Sequence, residues 1–345
     1  MTMIPNPAST SLSLDEERLA QDLKALAGLP PESAIWPLVA EQLSAHPGFK
    51  VLKQLTPTLS PKATVVAAAQ KESKILRGLV LDTETTGMNN LSDKVIELGM
   101  IKFEYDSASG QVLNVIDVFD ELEDPGFPIP PETIAVHHIT DEMVKGKRMD
   151  DQRVNAMLED VDLVIAHNAA FDRPFVEKRW PHFSAKRWAC SIKDIDWRQN
   201  GIGSAKLEYL AMVQGIFYEA HRAEIDCWAL LEVLKMVLPS SQQTAIQTLF
   251  ESAHSDQFKV YALGSPFETK DILKQRAYRW SPDIKCWSKV VASSEKLNDE
   301  LLWLKQHVYG SRKGAKVEIE TFSAFERHAE RDGQKSVKDL SEVGA

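Results

Sequence analysis

The chain has 345 residues, 43% hydrophobic and 26% charged, a globular mixture with enough length for two or three domains and a full core. Its formal net charge of -10 argues against a surface coated in basic groups for bulk nucleic-acid packaging, yet leaves room for a local basic groove. Three widely separated cysteines (Cys190, Cys227, Cys286) support neither a disulfide framework nor a zinc cluster, and with no secretory pattern and no bilayer-length apolar run the expectation is a cytoplasmic protein with no membrane partner.

Residues 1–74 read as a helical extension without chemistry. Ser13 with Glu16 makes a capping box, Leu19, Leu23 and Leu26 share a helical face, and Gly28-Leu29-Pro30-Pro31 stops the helix. A second amphipathic stretch runs from Ser33 to Leu55 with an interruption near Pro47-Gly48, and Thr56 to Pro61 reads as a linker.

From Ile75 the pattern turns to strands: Arg77–Asp82, Lys94–Tyr105 and Gly110–Leu122, an antiparallel meander. Helices are expected over Pro131–His138, Asp150–Leu158, Phe171–Trp180, Lys206–Val213 and Ala223–Val237, with a further strand at Asp162–Ala166. Strands followed by alternating strand and helix give an α/β domain, a mixed sheet flanked by helices, over residues 75–240.

The stretch Leu81 to Gly87 (LDTETTG) ends an apolar strand in two carboxylates. Alternation along a strand places Asp82 and Glu84 on one side and Thr83 on the other. Two like charges there repel unless a cation lies between them, which points to a hard divalent metal; an exposed acidic strand end also fits the pair taken alone. Asp172 stands at the start of a helix after the strand that closes in His167-Asn168, where a carboxylate either complements the helix dipole or leans over the sheet edge that collects ligands in α/β folds. In HRAEID, Asp226 lies in the first turns of an apolar helix and His221 in the loop before it. This suits a base that must reach a metal-bound water, and equally a loop histidine without a role.

These three stretches together, in this order and spacing, closely resemble the DEDDh 3′–5′ exonucleases, the DnaQ-like family that includes proofreading subunits and RNase T. The resemblance covers roughly Ile75 to Pro239, with IELG at Ile96–Gly99 and VHHITDEMV at Val136–Val144 as further family-like stretches. His138 stands where the family usually has Gly, and Cys227 where a small Ala is common. The resemblance implies an RNase H-like five-stranded mixed sheet and two divalent ions, Mg or Mn, held by Asp82, Glu84, Asp172 and Asp226, with His221 as general base. Thr85, Thr86, Gly87, His137 and Asn168 are implied contacts for the terminal nucleotide, and Glu97 is left out of the metal set. The implied activity is release of nucleoside 5′-monophosphates from the 3′ end of single-stranded DNA. An RNA 3′-trimming enzyme is the alternative, since the 2′-OH contacts that separate the polymers are not encoded in these motifs. A non-catalytic subunit associated with a polymerase partner predicts a damaged acid set, and all four acids are present.

Residues 255–331 read as a small α+β accessory module, running strand, helix and a hairpin turning at Ser281-Pro282-Asp283. Basic residues interleave with Tyr278, Trp280 and Trp287, a composition that suits single-stranded nucleic acid or a protein partner. The two tryptophans are expected in the core, because a small domain needs such residues to bury enough area.

Overall fold

The computed structural model describes residues 33–57, 73–310 and 312–343, with short runs between 18 and 30. The Ser13–Glu16 cap, Leu19, Leu23 and most of the linker lie outside the described residues. The chain separates into two compact units, Met1–Lys53 and Gln54–Ala345. In the first, helix α1 (Ile35–Ala45) ends before the Pro47-Gly48 break, and the chain beyond is extended rather than helical.

The second unit is organised on a five-stranded mixed sheet. Its strands are β1 (Ile75–Thr85), β2 (Val95–Asp106), β3 (Val112–Leu122), β4 (Leu163–Ala166) and β5 (Trp188–Cys190), in the order β3-β2-β1-β4-β5. The first three form the expected antiparallel meander, while β4 and β5 run parallel to β1 and each other. The helices are α2 (Pro131–His137), α3 (Asp141–Val144), α4 (Asp151–Leu158), α5 (Ala169–Arg179), α6 (Leu207–Val213), α7 (Ala223–Leu234) and α8 (Ala245–Ala253).

Helices cover both faces of the sheet, which is why β1 reads as a continuous apolar run rather than an alternating one. Val80 packs with Ile101, Phe103 and the α7 residues Trp228 and Leu231. Leu79 and Leu81 pack on the opposite face with Met157 of α4 and with Phe175 and Val176 of α5. This alternation sets up the acidic end of the strand: Asp82 and Glu84 follow Val80 toward α7, and Thr83 follows Leu81 toward α5. The fold is thus the RNase H-like mixed sheet. Strand β5, only three residues long, is the one element of this sheet that periodicity alone does not reveal.

A second sheet follows, built from β6 (Gln257–Ala262), β7 (Arg279–Ser281), β8 (Cys286–Val291), β9 (Lys316–Phe322) and β10 (Gln334–Asp339), in the order β10-β9-β6-β8-β7 and antiparallel throughout. Helices α9 (Lys270–Gln275) and α10 (Ser294–Trp303) contribute Leu273 and Leu301 to its core. Trp287 packs against this core as expected, whereas Trp280 is 49% exposed, because it sits on the short edge strand β7 with no strand beyond it.

The segment after β9 turns back onto the first sheet. The fully buried Arg173 of α5 donates to the carbonyls of Ala324 (3.4 Å), Phe325 (2.6 Å) and Arg327, and the backbone N–H of Trp188 in β5 donates to the Ala324 carbonyl at 2.9 Å. Arg327, itself buried, donates to Ser252 and Ser255 and faces Asp194 at 3.7 Å.

Candidate active site

Three local devices bring the acids together. The first is the end of β1, where Asp82 pairs with Gly99 and Glu84 with Glu97, and the register shifts immediately after Glu84. The second is the close seating of α7 against β2. A Cβ on Gly99 would lie 2.4 Å from the Ala223 backbone, so only glycine lets the helix start this near the strand. Glu97, buried on β2, accepts the Ala223 N–H at 3.0 Å and two N–H groups of Arg222, at 2.9 and 2.6 Å, capping the helix with a carboxylate. This engagement accounts for Glu97 and keeps it out of the acid cluster. The third device is α5, entered through Asn168 at φ 89° and carrying Asp172 in its first turn.

The result is an open cleft of about 370 Å³ lined by Asp82, Glu84, Asp172, Asp226, His221 and Asn168. Carboxylate oxygens of Asp82, Glu84 and Asp226 lie within 4.8 Å of one another. Asp172 reaches the cleft from the other face of the sheet, where the Thr83 hydroxyl donates to it at 2.8 Å. Asp226 accepts from the Tyr218 hydroxyl (2.9 Å) and from the backbone N–H groups of His221 (2.8 Å) and Arg222 (3.1 Å). His221 stands exposed at the rim, its backbone at φ 70°.

The electrostatics are those of a site short of positive charge. Burial, then Asp172, Asp226 and Glu84, push the Asp82 carboxyl well above the usual range. Burial and the neighbouring acids raise Glu84 to about 8, burial raises Asp172 to about 7, and burial raises Asp226 against the pull of its three donors. Such a set ionises together only when cations neutralise it. Its donors are all carboxylate oxygens, the hard set that suits Mg or Mn, so the residues fit divalent ions of that type.

The other expected residues divide. Asn168 lines the cleft, but Thr85, Thr86, Gly87 and His137 are not among its lining residues. Thr85 donates to the Gly87 carbonyl at 2.6 Å, the Thr86 hydroxyl accepts the Lys94 N–H, and Gly87 lies so close to the Asp93 carboxylate that a Cβ would meet it at 2.5 Å. The imidazole of His137 is buried and its Nδ1 accepts the Ile139 N–H at 3.0 Å. His138, the departure from the family's glycine, adopts φ 60° as the C-cap of α2, the left-handed conformation that glycine takes without cost.

Residues that the motifs did not flag also line the cleft. Tyr218 holds Asp226, Thr83 holds Asp172, and Lys206 offers a cation. His167 bonds Ser191 at 2.7 Å, and burial holds its imidazole down at about 4. Only tertiary contact joins Tyr218 and Thr83 to their partners, and no periodicity signals it.

Residues 79–234 match the RNase T family model, described as exonuclease. A PolC-type DNA polymerase III of Lacticaseibacillus paracasei is 35% identical over 143 residues, 40% of this chain and 9% of the relative. The PolC-type enzyme of Clostridium perfringens is 28% identical over 243 residues, 68% of this chain and 16% of the relative, so the chain spans only a small part of these proteins. Among solved structures, exonuclease X in complex with 5′ overhanging duplex DNA covers 50% of this chain and 97% of its own at 24% identity and TM-score 0.39. The zinc-bound E. coli ExoI–ssDNA complex covers 65% and 66% at 14% identity and TM-score 0.46. Over residues 79–234, a little under half of its length, the chain is therefore similar to the exonuclease domains of the RNase T family.

Proposed function

We propose that this chain is a metal-dependent 3′–5′ exonuclease that releases nucleoside 5′-monophosphates from DNA. The observation that carries the reading is the floor of the cleft, where four acids converge from both faces of one strand end and burial and mutual repulsion raise their pKa values. Asp82, Glu84, Asp172 and Asp226 would hold two divalent ions, which when bound supply neutralisation of the phosphate and activation of the attacking water. DNA is favoured because the curated relatives are DNA polymerases by name, and a polymerase partner is the association that this name suggests.

The chain's own residues do the rest. His221, exposed at the rim, accepts the proton from the attacking water, and the Asp226 carboxylate holds its backbone in reach. Lys206 faces the phosphates with a positive charge, and Asn168 offers an amide to the terminal nucleotide. Tyr218 and Thr83 orient Asp226 and Asp172.

The test incubates the full chain with 5′-labelled DNA and RNA strands of one sequence, with Mg or Mn, beside an Asp82→Ala variant. A ladder from the 3′ end of DNA that is lost in the variant supports the reading. An RNA-preferred ladder reassigns the enzyme to RNA trimming, and no metal-dependent cleavage of either polymer refutes it.

A further inference from the structure

A second cleft, of about 650 Å³, opens between residues 192–205 of the exonuclease domain and the start of α10, with Ala292 and Lys296 on its far wall. It adjoins the four-acid cleft. Ile192 lines both, and Ala205 at the edge of one is followed in the chain by Lys206 in the other. The two walls are fastened together, because Gln257 of β6 donates to Asp194 at 2.9 Å while His328 and Arg327 approach the same carboxylate at 3.2 and 3.7 Å.

The charge of this cleft runs against that of the chain. Lys193, Arg198 and Lys296 are exposed in its walls, and exposed Lys206 continues the series toward the acids. Of the acids beside them, Asp194 has its side chain wholly covered and engaged, and Asp196 accepts the Gln199 N–H at 3.0 Å within its own loop. A polyanion gains little from the acidic floor, so its affinity must come from cations further along its path. A strand whose 3′ end reaches the acids through a cleft this small enters as a single strand, and its upstream phosphates need a positively charged groove.

We propose that the cleft between residues 192–205 and α10 is the channel for single-stranded DNA upstream of the scissile bond, with its phosphates on Lys193, Arg198 and Lys296. The second sheet is thereby part of the substrate path rather than an appendage. This inference rests on the exonuclease reading above.

The test measures binding of 5′-fluorescein dT20 and dT4 by anisotropy over a salt series, in the full chain carrying Asp82→Ala to prevent turnover. The double variant Arg198→Glu/Lys296→Glu is compared with Lys147→Glu, an exposed lysine outside the cleft. The double variant should lose about tenfold in dT20 affinity and flatten the slope of log affinity against log salt by about 1.4, two phosphate contacts at about 0.7 each. Its preference for dT20 over dT4 should shrink with it, while Lys147→Glu changes dT20 affinity less than about twofold. A double variant that keeps the parent's dT20 affinity, or loses no more than Lys147→Glu, overturns the channel. Cleavage of dT20 by the unsubstituted chain is followed separately: its absence with Mg and Mn refutes the exonuclease reading, while the binding ratios alone decide the channel.

Discussion

Replacing Gly99 by alanine tests whether the seating of α7 places the site. The added Cβ would lie 2.4 Å from the Ala223 carbonyl carbon, 2.6 Å from its oxygen and 2.6 Å from the Glu224 nitrogen, all backbone atoms that no rotamer change can move. Ordinary contact begins at 3.4 Å, so the first turn of α7 must withdraw by 3.4 minus 2.4, about 1 Å. That withdrawal strains the Glu97 cap on Ala223 and the Cys227 thiol contact with the Gly99 carbonyl, 3.0 and 3.3 Å in the native chain. Overpacking costs about 1–3 kcal/mol and a weakened charge-assisted bond about 1.5–3 kcal/mol, so a loss near 4 kcal/mol is expected, or about 8 °C or more in Tm. Because α7 carries Asp226 and its entry carries His221, a shift of about 1 Å should also lower kcat about 100-fold. Gly126→Ala is the control: its φ of 80° imposes a backbone cost of about 1–2 kcal/mol, but nothing lies within 4 Å of the new methyl. Thermal unfolding and single-turnover cleavage of a labelled strand read both effects. A Gly99→Ala protein with native Tm and kcat would refute the claim that this contact sets the position of Asp226.

Three further perturbations follow from the same geometry. An acid whose folded pKa lies above its unfolded value near 4 holds more protons when folded, so the stability it lends is full below about pH 4 and is lost as pH rises through the folded pKa. With Asp172 at about 7 and Glu84 at about 8, the metal-free chain should lose Tm between pH 5 and 8, and Mg should restore more of it at pH 8 than at pH 5; a metal-free Tm that rises over this window contradicts the repulsion argument. Thr83→Val removes the hydroxyl that donates to Asp172, a bond to a charged group worth about 1.5–3 kcal/mol, so the Mg concentration for half-maximal cleavage should rise about tenfold; an unshifted Mg titration shows that Thr83 does not hold Asp172. Arg173→Met leaves three carbonyls of the 324–327 turn without their buried donor and should cost about 3–5 kcal/mol in urea unfolding, and a change below about 1 kcal/mol would show that this turn gains nothing from Arg173.

How much of this was legible depended on whether the signal was local. The apolar run Leu79-Val80-Leu81 and the turn at Ser107–Gly110 follow from neighbours in sequence and gave the meander, whereas the four acids were expected together only through the resemblance of three separated stretches. Alternation placed Asp82 and Glu84 on one side correctly, yet it also put Thr83 on the face where Asp172 arrives, a meeting across 89 residues that no pattern announces. Tyr218 is nearer, eight residues before Asp226, but it lies outside the helix whose periodicity marks that acid. Thr86 and Gly87 were expected near the terminal nucleotide; the fold gives them to Asp93, a partner six or seven residues on that closes the turn after β1. Trp280 was expected in the core, but its exposure was decided by sheet order, which makes β7 an edge.

The acid cluster also explains why a second sheet is tied where it is. Four carboxylates crowded at one strand end push each other apart, so the scaffold must hold each against the others whenever cations are absent. Asp226 is held by three donors at the entry to α7, and the first turn of α7 is itself locked to β2 through Glu97 and Gly99. Asp172 is held by the Thr83 hydroxyl and by backbone N–H groups of Thr83 and of its own residue, on a helix that begins at a left-handed Asn168 with no side-chain cap. The next residue, Arg173, turns away from the cleft and binds the carbonyls of Ala324, Phe325 and Arg327, while Glu177 one turn later pairs with Arg331 at 2.5 Å. The helix that carries Asp172 is therefore the one that the segment after β9 grips. The C-terminal region thus fixes α5 behind Asp172, and its Lys296 stands on the wall of the separate cleft that adjoins the acids.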